Sequence, residues 1–146
     1  EGSDIHSGHL AIDRYPEVAR EIVRQFPNVS NVAITLRESL SASHNNWGAM
    51  LYEAFTGAAH FAPLKDGVYA PYEIRNIVDR VGGGDSFGAG LVYALTTSGL
   101  ESQELAIRFA VAASCLAHSI EGDLNFSSRA EVESLMGGSA SGRVVR

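Results

Sequence analysis

The segment from residue 102 to residue 120, SQELAIRFAVAASCLAHSI, most constrains what this chain can fold into. Its apolar residues recur on nearly every side of a helix rather than along one stripe. Other elements must cover such a helix on most of its circumference, so we expect it at the centre of a packed core. Hydrophobic residues make up 45% of the 146-residue chain, which is enough to build that core.

The residues before this segment predict one helix, one strand and one hairpin. DRYPEVAREIVRQF (13–26) carries apolar residues at helical spacing, and VAITL (32–36) predicts a short buried strand. SLSASHNNWGAMLYEAF (39–55) predicts a hairpin. We place its turn at Asn45-Asn46, because Asn tolerates the left-handed conformations of a tight turn.

Shorter patterns complete the prediction of secondary structure. Asp66-Gly67 predicts a second turn, and the runs GVYAPYEI (67–74) and NIV (76–78) predict short extended pieces, with Pro71 disfavouring a central strand. A helix is expected to begin near Asp85 and to carry the residues SFGAGLVYAL.

The C-terminal end of the chain predicts a last short helix and then a tail. Ser128 and Glu131 have the spacing of a capping box. Residues 137–146 are rich in Gly and Ser, so we expect a disordered tail after a domain of residues 1–136. The order of helices and strands is that of an α/β fold.

Composition excludes several classes of protein. The net charge of −6 argues against a nucleic-acid binder, which would carry a basic face. No apolar run approaches the ~20 residues that span a bilayer. Cys115 is the only cysteine, so no disulfide can form within the chain. These features lead us to expect a cytoplasmic protein without nucleic-acid or membrane partners.

The run DRVGGGDSFGAG (79–90) carries the chemistry of the chain, and three interpretations compete for it. It contains no Lys and lacks the G-x-G-x-x-G spacing, which excludes a P-loop and a dinucleotide-binding loop. Residues 84–88 do match the G-x-S-x-G of a nucleophile elbow, with Ser86 as nucleophile and His118 as the only downstream base.

The third interpretation is an anion-binding helix N-terminus. Glycines 82–84 precede the predicted helix, where free N–H groups and the helix dipole attract anions and no Cβ blocks their approach. Asp85 beside them is either a helix cap or a base that accepts a proton from a substrate hydroxyl. An anion site with an adjacent carboxylate suits phosphoryl transfer.

The same run resembles the second signature of the ribokinase-like (PfkB) carbohydrate kinases, D-T-x-G-A-G-D-x-F. The matching residues are Asp79, Gly82, Gly84, Asp85 and Phe87. Arg80 replaces the usual Thr and Gly83 the usual Ala. Together with Arg37 in TLRES, these replacements resemble the 2-keto-3-deoxygluconate kinase branch. The resemblance covers residues 13–136 and only the C-terminal half of such a kinase.

The resemblance implies a fold and a set of site residues. The fold is the C-terminal part of a three-layer α/β/α domain, without the N-terminal half and the lid. Asp85 matches the catalytic base, and the amides of Gly82, Gly83 and Gly84 match the anion hole. The family's Ala implies that a methyl fits at position 83. The positions implied at the nucleotide are Thr35, Arg37, Gly82, Gly84, Ser114 and Gly122, and those implied at a monovalent cation such as K⁺ are Asp79, Val81 and Gly122.

The function implied is ATP-dependent phosphorylation of a sugar or sugar acid, 2-keto-3-deoxygluconate above all, with Mg²⁺. The alternatives are another PfkB kinase, such as a ribokinase or fructokinase, and a non-catalytic nucleotide- or phosphate-binding module. The chain lacks the N-x-x-E motif that organises Mg²⁺ in the family, so no metal ligand is assigned. We therefore expect the chain to need an N-terminal half and to be inactive alone, and the intact enzyme to be a homo-oligomer.

Two residues keep simpler alternatives at this stage. Arg37 follows a predicted strand, where it could pair either with a phosphate or with a surface carboxylate. His118 could approach the adenosine of a nucleotide, but we expect it as a hydrogen-bonded surface residue at a helix end.

Overall fold

A computed structural model describes residues 11–137. The predicted tail, apart from Gly137, lies outside the described residues. The helices and strands follow one another along the chain as a 3₁₀ turn Ile12–Arg14, α1 (Tyr15–Gln25), β1 (Asn31–Ser41), β2 (His44–Glu53), β3 (Ala59–Ala62), β4 (Leu64–Lys65), β5 (Val68–Tyr69), β6 (Tyr72–Arg75), α2 (Gly83–Leu95), α3 (Gln103–Ala117) and α4 (Arg129–Met136).

The sheet is antiparallel, and β2 lies at its centre. Strand β1 pairs with one edge of β2, while β3 and β6 share the other edge, with β3 beside residues 49–52 and β6 beside residues 44–47. The predicted short buried strand at 32–36 is longer, and Val32 and Leu36 are its buried positions. Residues 76–78, expected to be extended, belong to no strand.

The hairpin is confirmed, but the position predicted for its turn was wrong. The chain reverses at residues 42–43, and Asn45 and Asn46 lie inside β2, opposite Ser39 and Glu38. Asn45 is fully buried. Burial in the central strand has therefore overridden the turn preference of the two asparagines.

The turn predicted at Asp66-Gly67 is confirmed. It joins β4 to β5, and both of its residues have positive φ, +52° at Asp66 and +79° at Gly67. Two central residues with positive φ give the turn that suits a two-residue hairpin. Pro71 lies outside the strands, directly before β6.

Helices cover both faces of the sheet, which confirms the three-layer α/β/α arrangement. On one face Ala19 of α1 packs with Leu36 and Met50. On the other face Trp47 and Leu51 join one apolar cluster with residues of α2 and α3. Ten residues of α3 are buried, so this helix is as central as its sequence predicts.

The ends of the helices follow local sequence signals in two cases and depart from them in one. Ser102 caps α3 through its side chain, and Ser128 and Glu131 form the predicted capping box of α4. Helix α2, expected from near Asp85, begins at Gly83 instead. This earlier start brings two of the glycines into the first turn of the helix.

Candidate functional site

Residues 82–85 form a turn into α2 that we call the glycine turn. Gly82 is the N-cap, with a left-handed φ of +75°, and no side chain caps the helix. The first backbone hydrogen bond of the helix runs from the Ser86 N–H to the Gly82 carbonyl, at 2.8 Å. The N–H groups of Gly83, Gly84 and Asp85 precede it and have no acceptor within the helix. They form the positive end of the α2 dipole.

The three glycines of the turn differ in what a side chain at each position would contact. A Cβ on Gly82 would lie 2.5 Å from the Asp123 carbonyl oxygen, and one on Gly83 would lie 3.0 Å from Cε1 of His118. A Cβ on Gly84 would meet no atom within 4 Å. Packing therefore explains Gly82 and restricts a side chain at position 83, whereas a side chain at position 84 would extend into open space. The methyl expected to fit at position 83 would need the His118 ring to give way by a few tenths of an ångström.

Asp85 lies beside this open amide with its side chain exposed. Among the described residues its carboxylate has no hydrogen-bond or ion-pair partner. The cap interpretation of Asp85 is not supported, because Gly82 holds the N-cap position and receives no side-chain bond. A free carboxylate next to open N–H groups is available to a ligand.

Asp79 organises the chain that leads into the turn. Its Oδ1 accepts hydrogen bonds from the N–H groups of Arg80 at 2.6 Å and Val81 at 3.0 Å, and its Oδ2 accepts one from Gly122 at 3.0 Å. The amides of Val81, Gly122 and Arg80 hold the pKa of the Asp79 carboxyl below its usual value. The monovalent cation predicted at Asp79, Val81 and Gly122 stays a prediction.

Arg80, where the family signature has Thr, ties the same segment to the β1–β2 hairpin. Its guanidinium donates to the carbonyl oxygens of Ser41 at 3.2 Å and Ala42 at 2.6 Å. No role for Arg80 was predicted from the sequence. Its departure from the signature was the one available signal.

Ser114 of α3 and His118, the C-cap residue of that helix, lie beneath the glycine turn. The Ser114 hydroxyl is fully buried and donates to the Gly83 carbonyl at 2.7 Å. Ser114 can therefore affect nucleotide binding only indirectly, through the position of the glycine turn. His118 was expected at the surface, which is wrong, because it is 3% exposed.

The His118 ring is held from several sides. Its Nδ1 lies 2.8 Å from the Ser114 carbonyl oxygen, and its ring centre lies 4.8 Å from that of Trp47. Burial lowers the pKa of His118, the bond to Ser114 opposes that shift, and the charges of Arg80 and Arg37 lower the pKa further. The net shift favours the neutral form of the imidazole.

Thr35 and Arg37 of β1 lie on the same side of the sheet as α2. Arg37 is opposite Trp47 and Thr35 is opposite Ala49, and side chains directly across an antiparallel pair share a face. Both β1 side chains are exposed. Within residues 11–137, Arg37 has no ion-pair partner, which leaves its charge available for a phosphate.

The nucleophile-elbow interpretation is wrong. An elbow needs a strand that leads directly into the serine, but residues 76–82 are irregular and Ser86 lies inside the first turns of α2. Ser86 is 7% exposed, and the Nδ1 of the supposed base, His118, is bound to Ser114. The hydroxyl is therefore not presented to a substrate.

Two other kinds of feature are absent from the described part of the chain. No group of three or more His, Cys, Asp or Glu side chains there could hold a metal ion. Between residues 11 and 137, no helix is long and apolar enough to cross a membrane.

Solved structures of other proteins resemble this chain. The chain matches no protein-family model and no curated protein. A 2-dehydro-3-deoxygluconokinase from Thermotoga maritima is 43% identical, with a TM-score of 0.73 over 86% of this chain and 35% of its own. A PfkB family carbohydrate kinase from Listeria grayi is 26% identical, with a TM-score of 0.70 over 91% of this chain and 36% of its own.

A third solved structure supports the fold alone. A putative 2-keto-3-deoxygluconate kinase from Enterococcus faecalis is 23% identical, with a TM-score of 0.69 over 97% of this chain and 37% of its own. The chain thus spans about a third of the length of each of these structures. In fold and in its glycine signature, the chain resembles the C-terminal part of the ribokinase-like (PfkB) carbohydrate kinases.

Proposed function

We propose that this chain is the nucleotide-binding and base-carrying part of an ATP-dependent sugar kinase. The acceptor we propose is 2-keto-3-deoxygluconate, since the relative at 43% identity is a 2-dehydro-3-deoxygluconokinase. The observation that carries the proposal is the free Asp85 carboxylate beside the open amide of Gly84.

Each part of the glycine turn has a role in phosphoryl transfer. Asp85 accepts the proton of the acceptor hydroxyl, whose oxygen forms a bond to the γ-phosphorus of ATP. The bond from that phosphorus to the β–γ bridging oxygen breaks, and ADP leaves with the electron pair. The N–H groups of the turn stabilise the charge on the transferred phosphoryl group, because they point at it from the positive end of α2.

Residues on β1 and at the Gly122 turn complete the proposed nucleotide site. Arg37 contributes an unpaired positive charge on the α2 side of the sheet, close enough to His118 to lower its pKa. Thr35 lies on the same face of β1. Gly122, with a φ of +86°, is fixed by its bond to Asp79.

The proposal assigns Mg²⁺ to no residue of this chain, because its described part offers no cluster of metal-binding side chains. The remainder of a full-length kinase would have to supply those ligands and the sugar site. We therefore propose that residues 1–146 alone do not turn over substrate, and that adding the N-terminal half restores turnover.

The test is turnover by the full-length protein with ATP and 2-keto-3-deoxygluconate, and with ribose and fructose as alternative acceptors. Asp85→Asn should lower kcat by about 10²–10⁴-fold, the usual cost of losing a general base, and leave ATP affinity largely intact. Ser86→Ala is the matched control in the next residue and should stay close to wild type.

Three outcomes would change the proposal. Near-normal kcat in Asp85→Asn would remove Asp85 from the role of base. Preference for ribose or fructose would keep the kinase and change the substrate. ATP binding by the full-length protein without transfer to any of these acceptors would favour the non-catalytic binding module.

A further inference from the structure

We propose that His118 is a positioning residue for the glycine turn, and that Gly83 and His118 form a matched pair in which the imidazole occupies the space of a side chain at position 83. This inference rests on the proposed function, since the turn positioned is the one assigned to the transferred phosphate. It goes beyond that function, because His118 touches neither substrate in the proposal.

The first support is the close contact between the two residues. A Cβ on Gly83 would lie 3.0 Å from Cε1 and 3.4 Å from Nε2 of His118. The 3.0 Å distance to Cε1 is shorter than the usual contact between carbon atoms, ~3.5–4.0 Å. The absence of a Cβ at position 83 therefore lets the ring lie directly under the backbone of the turn.

The second support is that the ring cannot easily move away. A backbone carbonyl only accepts hydrogen bonds, so the 2.8 Å contact with the Ser114 oxygen places a proton on Nδ1. Trp47 packs against the ring, and the His118 carbonyl accepts a hydrogen bond from the Val78 N–H at 2.9 Å. His118 is therefore fixed both to α3 and to the segment that leads into the turn.

The third support is the orientation that results for the Gly83–Gly84 peptide. The Ser114 hydroxyl binds the Gly83 carbonyl at 2.7 Å, so this carbonyl points into the protein. In a trans peptide the carbonyl and the following N–H point in opposite directions, so the Gly84 N–H points out of the helix N-terminus. Ser114 holds one side of this peptide and the His118 ring supports it from below. Any tilt would turn the Gly84 N–H away from the phosphate.

A double-mutant cycle tests the pair in the full-length protein. His118→Asn keeps a side-chain N–H able to reach the Ser114 carbonyl and removes the Cε1–Nε2 part of the ring that lies under Gly83. Gly83→Ala adds the methyl. We expect Gly83→Ala to lower kcat/KM for ATP by about tenfold or more, as a small misplacement of catalytic groups does.

The distinguishing result is rescue. Gly83→Ala combined with His118→Asn should recover most of the kcat/KM lost in Gly83→Ala, because the methyl then has room. Gly88→Ala, in the same helix, is the matched control. A Cβ there meets no atom within 4 Å, so we expect wild-type kinetics. A role confined to folding would instead change the melting temperatures and leave the kcat/KM of the folded variants unchanged.

The outcomes distinguish failure of the positioning role of His118 from failure of the proposed function. Gly83→Ala with wild-type kcat/KM, or a double variant no better than Gly83→Ala, overturns the positioning role of His118. A wild-type protein that transfers no phosphate overturns the proposed function, and the positioning role with it. If the wild-type protein is active and the kcat/KM losses of Gly83→Ala and His118→Asn simply add in the double variant, the positioning role alone is overturned.

Discussion

The two glycine-containing turns of this chain differ in what requires their glycines. In the β4–β5 turn, Gly67 has a φ of +79° and a Cβ there would meet no atom within 4 Å. In the glycine turn, Gly82 has nearly the same φ, +75°, but a Cβ would meet the backbone of Asp123. The first turn needs glycine for its own conformation, and the second needs it also because distant segments pack against it.

This difference explains which features could be predicted from the sequence. Asp66-Gly67 is a local signal, and it predicted the turn correctly. The run of three glycines indicated an anion site, yet the sequence could not show that Asp123 blocks a side chain at position 82 and that His118 crowds one at position 83.

The largest expected effect on stability is that of Gly82→Ala. A non-glycine residue in the left-handed region costs about 1–2 kcal/mol, and displacing the Asp123 backbone adds about 1–3 kcal/mol of packing strain. We therefore expect a marked loss in the free energy of unfolding of the full-length protein, measured by denaturant titration. A loss no larger than that of Gly67→Ala would show that the Asp123 segment moves aside freely.

Gly67→Ala is the matched change at the open turn. Only the backbone conformation opposes it, so we expect a loss of about 1–2 kcal/mol in the free energy of unfolding. Its kcat/KM should equal that of wild type, because the β4–β5 turn carries no part of the proposed site. Reduced kcat/KM in a fully folded Gly67→Ala protein would contradict the separation of the two turns.

Ser114→Ala should have the smallest effect on stability, and it also tests the support of the glycine turn from below. Losing the bond to the Gly83 carbonyl should cost about 1 kcal/mol, the typical net value of one hydrogen bond. We also expect a lower kcat/KM for ATP, because the Gly83–Gly84 peptide becomes free to tilt. A stability loss with unchanged kinetics would show that the helix alone orients this peptide.

Local signals accounted for much of the fold. The apolar pattern of α3, the capping box of α4 and the Asp66-Gly67 turn were each predicted from neighbouring residues and are confirmed. The turn placed at Asn45-Asn46 was wrong because Asn45 is buried in the central strand, and that burial depends on β1 and β6.

Within the site, the residues of the signature could be found from the sequence. The residues of other elements that hold them in place could not. Asp85 and the glycines stand together in the chain, so their proximity was predictable. Ser114 and His118 reach the turn from α3, and Arg80 reaches the hairpin at residues 41–42. Such contacts depend on the packing of α2 against α3 and on the hairpin, which no local pattern specifies.

The most direct test of the account is Gly84→Ala in the full-length protein, with stability and kinetics measured on the same sample. A methyl there meets no protein atom, and replacing glycine in a helix commonly stabilises by about 0.5–1 kcal/mol. The account predicts unchanged or higher stability together with a fall in kcat/KM for ATP of about tenfold or more, because the methyl occupies the space in front of the phosphate-binding amides. Equal or higher stability with wild-type kcat/KM would contradict the assignment of this turn to the transferred phosphate.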